Sequence, residues 1–119
     1  MNTIKTFRDV TAWQKSMILV NKIYRASDTF PDSEQPVLTT QIRKSATTIA
    51  STLAKAHAFN SSKAKLRCLT IVSGLVFELQ TFLEIAVNLG YINKEFFDLL
   101  YEDSRDFEKM LGQLKNSLD

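Results

Sequence analysis

Along most of the chain, apolar positions recur every three or four residues, the period of a helix with one buried face. Val10, Trp13, Met17, Val20 and Tyr24 form one such stripe and predict a first helix from about Val10 to Ser27. Asp9 or Thr11 can cap it, and Thr11 with Gln14 has the capping-box spacing. "SDTFPDSEQP", 27–36, is the one stretch rich in turn formers and separates the first helix from the second. The second helix is expected over about Pro36–Phe59. Its seam is Leu38, Ile42, Ser45 or Ala46, Ile49, Leu53 and Ala56. Pro36 suits a first turn, where its missing N–H is no loss. Asn60 and Ser61 make a short capped turn into a third helix over 62–89, which Gly90 ends. Asn93 caps a fourth, over 94–118, with Phe96, Leu100, Phe107, Leu111, Leu114 and Leu118 on one face. No segment keeps a strand's two-residue alternation against this background. Short connections make consecutive helices antiparallel neighbours, so the expected fold is all-α, an antiparallel up-and-down four-helix bundle forming one domain over 1–119.

Two helices depart from a plain amphipathic pattern. The third carries two apolar stripes. One is Leu66, Leu69, Val72 or Ser73, Val76, Leu79 and Leu83; the other is Ile71, Leu75, Phe82, Ile85 and Leu89. A surface helix needs only one, so the second stripe is expected to meet another subunit or to make this the most buried helix. In the second helix, ten of the fourteen residues 45–58 are Ala, Ser or Thr. Side chains this small let neighbours approach closely, and the hydroxyls can bond back to the helix. Ala46, Ala50 and Ala54 are expected to serve packing within the chain.

Composition is that of an ordinary globular domain, with 45% hydrophobic and 24% charged residues among 119. Three Gly and two Pro fit long elements with short connections. The opening Met1–Lys5 has no apolar core of signal-peptide length, and no run reaches the roughly 18 apolar residues of a membrane span. A single cysteine, Cys68, rules out an internal disulfide, which suits a reducing cytoplasm. Neither a membrane nor a cofactor is expected.

The net charge of +2 hides a division. Residues 35–77 carry six cations (Arg43, Lys44, Lys55, Lys63, Lys65 and Arg67) and no anion, whereas residues 78–119 carry nine anions and four cations. Such asymmetry bears on partners rather than on fold.

Candidate chemistry is sparse. His57 and Cys68 are the only soft ligands, too few for a metal site. Cys68 lies among Leu66, Leu69 and Ile71 and reads as a packed thiol. "EDSRDFEK", 102–109, mixes acids with cations at helical spacing and reads as a solvated face, not a pair of general acids. Gly74, Gly90 and Gly112 are isolated, so there is no phosphate-binding loop. The basic set stands out. Lys44 and Lys55 are three helical turns apart on one face, about 16 Å along the axis. Lys63 and Arg67, four apart, open the third helix beside the end of the second. All six cations are candidate phosphate contacts.

"FRDVTAWQKSM" (7–17), "LTTQIRKSATTIAS" (38–51), "SGLVFELQTFLEIAVNLGYI" (73–92) and Phe30-Pro31 together resemble the four-helix bundle family named for proteins encoded in 23S rRNA intervening sequences. The resemblance implies a homo-oligomer, typically a pentameric barrel with a positive surface and no known catalytic activity. It also implies kinship with the accessory protein of diversity-generating retroelements, which binds nucleic acid and a reverse transcriptase. Where the family commonly has Pro, Asn, Glu and Gly in the second helix, this chain has Ala50, Thr52, Lys55 and Ala56. The second helix is therefore expected to run straighter and further. The function expected is a non-catalytic oligomeric adaptor for RNA or DNA, with a protein-interaction scaffold as the alternative.

Overall fold

The computed structural model describes residues 3–118. Met1, Asn2 and Asp119, the ends of the expected 1–119 domain, lie outside the described residues. Four α-helices make the fold: α1 (Thr11–Ser27), α2 (Thr40–Ala56), α3 (Ser62–Asn88) and α4 (Lys94–Ser117). They pack as a square in which α1 meets α2, α2 meets α3, α3 meets α4 and α4 returns to α1. The bundle measures 44 × 25 × 24 Å. Among the described residues there is no strand. Two contacts fix the direction of the α2–α3 pair as antiparallel. The Ser45 hydroxyl donates to the Glu78 carboxylate, and Lys65 Nζ donates to the Ala56 carbonyl at 3.1 Å.

The helix ends follow the local chemistry. Asn93 Oδ1 accepts from Phe96 N at 2.8 Å and starts α4, and Ser61 Oγ accepts from Ala64 N at 3.1 Å and starts α3. Gly90 takes φ of 76°, the left-handed exit that any other residue resists. The start of α1 differs from expectation. Val10 is its N-cap and supplies no side-chain bond, while Thr6 and Asp9 form the capping box of a preceding 3₁₀ turn, Phe7–Asp9. The run expected to start at Pro36 opens as a π-helical turn, Gln35–Thr39, before α2 proper begins at Thr40. It closes at Ala56, three residues before Phe59.

The core is built on the expected faces of α2, α3 and α4. Ile42, Ile49, Val72, Val76, Leu79, Leu83, Leu100 and Leu111 are all but inaccessible. In α1 the buried face is Ala12, Ser16, Leu19, Ile23 and Ala26, rotated from the expected stripe. Trp13 and Val20 pack half-buried against the core's edge, and Met17 and Tyr24 are exposed. On this face Leu19 and Ile23 carry the apolar bulk, with the small Ala12, Ser16 and Ala26 between and beside them. Alone among the described helices, α3 is long and apolar enough to cross a membrane by length and composition. Its Val72–Val76–Leu79–Leu83 face instead forms the centre of the bundle.

Candidate nucleic-acid interface

The basic segment folds into the α2–α3 hairpin, and the structure divides its six cations into two groups. Arg43 and Lys65 are engaged within the chain. Arg43 Nε donates to Ser27 Oγ at 2.7 Å and Nη2 to Asp28 Oδ1 at 2.9 Å, with its guanidinium 4.6 Å from the centre of the Tyr24 ring. This fork clamps α2 to the end of α1. Lys65 is half-buried and satisfies the Ala56 carbonyl at the C-terminus of α2, which a cation suits. The other four, Lys44, Lys55, Lys63 and Arg67, are exposed and make no ion pair with any described residue.

Of these four, Lys63 and Arg67 lie one turn apart at the start of α3, beside the connection His57–Ser61. Their position is electrostatically unusual. A helix N-terminus carries partial positive charge and favours acids, yet the first turn of α3 has none. Lys63 and Lys65 therefore add charge to an end that is already positive. Unpaired backbone N–H groups, a helix dipole and two free cations together form a surface suited to anionic oxygen. Lys44 and Lys55 lie further along α2 on its outer face. Between them Thr47 and Ser51 are exposed, but their hydroxyls bond back to the Lys44 and Thr48 carbonyls, both at 3.2 Å. These side chains offer a low surface more than free donors.

The outer face of α3 beside this stripe is apolar. Ile71 is 51% exposed, Ile85 39% and Leu89 56%, with Leu75 and Phe82 half-buried. Of the second stripe, Ile71, Ile85 and Leu89 thus lie outside the chain's own core, while Leu75 and Phe82 pack against its edge. Glu78 also faces out here. Reading residues 102–109 as a solvated face left one feature just before them unread. Leu99 sits in the acidic part of α4 and is 64% exposed, more than any other large apolar side chain described. The signal was the spacing Glu95, Leu99, Glu102, Asp106.

Elsewhere, chemistry is structural. Among the described residues no three His, Cys, Asp or Glu side chains come together as metal ligands. Cys68 is buried and His57 is exposed at the end of α2. An open groove of about 470 Å³ between α1 and α4 is lined by Lys15, Ile18, Lys22, Asp103 and Met110 among others, and is bridged by a Lys22–Asp103 ion pair at 2.6 Å. Gln80 crosses from α3 to α4, donating to Ser104 Oγ at 3.3 Å and Glu108 Oε1 at 3.1 Å.

Comparison with known proteins places this bundle. The family model for the 23S rRNA-intervening sequence protein matches residues 8–113. A solved structure of a protein with unknown function, from the S23 ribosomal protein family of Bacteroides thetaiotaomicron, superposes with a TM-score of 0.79. The two are 23% identical, and the match covers 88% of this chain and 98% of that one. At that identity the likeness speaks for the fold alone. No curated protein matches the chain.

Proposed function

The chain belongs to the family of 23S rRNA-intervening sequence proteins, and from that premise we propose that it acts as a non-catalytic, cytoplasmic, oligomeric adaptor. Its basic hairpin tip holds RNA or DNA by the phosphate backbone, largely without regard to sequence. The observation that carries this reading is the placement of Lys63 and Arg67. They lie on the positive end of α3 without an anionic partner, where they serve the helix poorly and an anionic ligand well. Arg43 and Lys65, engaged within the chain, act through structure. Near the tip, Phe59 is 43% exposed and His57 is exposed too, and neither lies on the face between Lys63 and Arg67, so base stacking is a minor part of this reading. The second apolar stripe of α3 supports assembly with copies of the same chain, for which the family resemblance suggests a ring of five. Repetition of a weak basic tip around a ring raises avidity without new contacts.

The test is a salt titration of a labelled oligonucleotide by fluorescence anisotropy. Each phosphate contact contributes a slope of about −0.9 in log K against log salt on duplex DNA, or about −0.7 on single strands. Replacing Lys63 and Arg67 together by Ala flattens the slope by about one to two contacts per engaged subunit and weakens all sequences alike. Replacing Lys94 and Lys109 on acidic α4 changes it far less. Absence of binding at low salt, or equal loss in both double variants, refutes this reading and leaves the protein-interaction scaffold.

A further inference from the structure

Resting on the assembly reading, we propose that the outer stripe of α4 in one copy docks lengthwise on the outer α2–α3 face of the next copy. Glu95, Leu99, Glu102 and Asp106 follow one another at intervals of four, three and four, so they share a face of α4. All four are exposed, and they face away from the buried Leu100, Ser104, Phe107 and Leu111. The three acids make no ion pair with a described residue, whereas Asp98, Asp103 and Glu108 on the same helix are each paired. A solvated helical face gains nothing from a leucine 64% exposed among such acids. A docked one does.

The α2–α3 face is complementary in charge, in length and in relief. Lys44 and Lys55 are eleven residues apart, as are Glu95 and Asp106, so both pairs span about 16 Å of helix. Between the lysines, Thr48, Ser51 and, on α3, Gly74 are small, leaving room for Leu99 beside Ile71 and Leu75. Glu78 is the one anion on this face, and its carboxylate accepts the Ser45 hydroxyl. Two copies of this face set against each other would oppose lysine to lysine. The contact is therefore heterologous, α4 of one copy on α2–α3 of the next, and a heterologous contact that closes makes a ring. Lys44 and Lys55 then belong to the neighbour, and Lys63 and Arg67 remain free at the hairpin tip for phosphate.

The experiment is complementation of two charge reversals, read as mass by light scattering at micromolar concentration and low salt. Lys44→Glu with Lys55→Glu makes both faces acidic; Glu95→Lys with Asp106→Lys makes both basic. Each variant alone falls to the mass of a single chain. Mixed in equal amounts, they recover multimers in which the two variants alternate, in equal numbers where the count is even and with one mismatched contact in a ring of five. Leu99→Asp, a change at a site too exposed to carry folding, also abolishes assembly. Circular dichroism checks that each variant is helical. Wild-type mass for either reversal alone, a mixture that stays single-chain, or an assembled Leu99→Asp variant overturns the assignment of surfaces. A wild-type chain that is itself a monomer overturns assembly altogether, while the phosphate reading stands on its own titration.

Discussion

Lys63 stands where a helix favours an acid, so its stability effect and its binding effect have opposite signs. Lys63→Glu removes a cation from the positive end of α3 and adds an anion there, which stabilises a helix by about 0.3–1 kcal/mol at low salt. The same change weakens oligonucleotide binding. A urea midpoint that rises while affinity falls is the expected pair of results; a midpoint that falls shows that Lys63 is held by the fold. Asp9 supports a pH prediction on the same scale. Its carboxylate accepts from Lys5 N at 2.9 Å and Thr6 N at 3.1 Å, and these bonds hold its pKa below the usual carboxylate value. A depressed pKa adds stability above the unfolded value and loses it as pH falls through the folded one. The Phe7–Asp9 turn therefore loosens as pH falls below the usual carboxylate range, and with it the edge contact of Phe7 on Trp13, 5.1 Å between ring centres. Trp13 emission shifts there, and Asp9→Ala produces the same shift at neutral pH. Neither Arg43's clamp nor Lys65's cap was legible as such, because a sequence shows that a cation is present but not which carbonyl or ring lies across the next helix.

At the scale of elements, legibility followed the contrast between faces. In α2, α3 and α4 most residues of an expected seam are buried, with Leu66, Phe96, Leu114 and Leu118 half-buried at its ends. In α1, large apolar residues lie on more than one side of the helix. A reading that weights bulk selects Trp13, Met17 and Tyr24, whereas the face that packs inward is Ala12, Ser16, Leu19, Ile23 and Ala26. Hydrophobicity cannot separate these; only the partner helix does. The exit of α3 was legible because one residue type fits it. Gly90→Ala meets no heavy atom within 4 Å, so its cost is that of the left-handed backbone alone, about 1–2 kcal/mol. Urea denaturation reads this as a lower midpoint with an unchanged slope. A midpoint equal to wild type means the exit of α3 readjusts.

Over the whole molecule, the third helix does two jobs with adjacent residues, and its two stripes separate folding from assembly. Leu79 faces the bundle axis and is fully buried, while Ile71 is half exposed on the outer face. The double stripe itself was visible in the chain, and its outward direction is what one fold cannot absorb: α3 packs chiefly against α2 and α4. Truncating Leu79 to Ala removes buried surface and leaves a cavity, a loss of about 2–5 kcal/mol. Truncating Ile71 to Ala, measured where the chains are dissociated, changes unfolding by about 0.5 kcal/mol or less, as exposed positions do. Concentration separates the two further. Assembly stabilises whatever folded state it consumes, so wild-type unfolding midpoints rise with protein concentration. Ile71→Ala is expected to flatten that rise, and Leu79→Ala to keep it while lowering the whole curve. Parallel curves for wild type and Ile71→Ala, both rising, would place the contact elsewhere on the bundle.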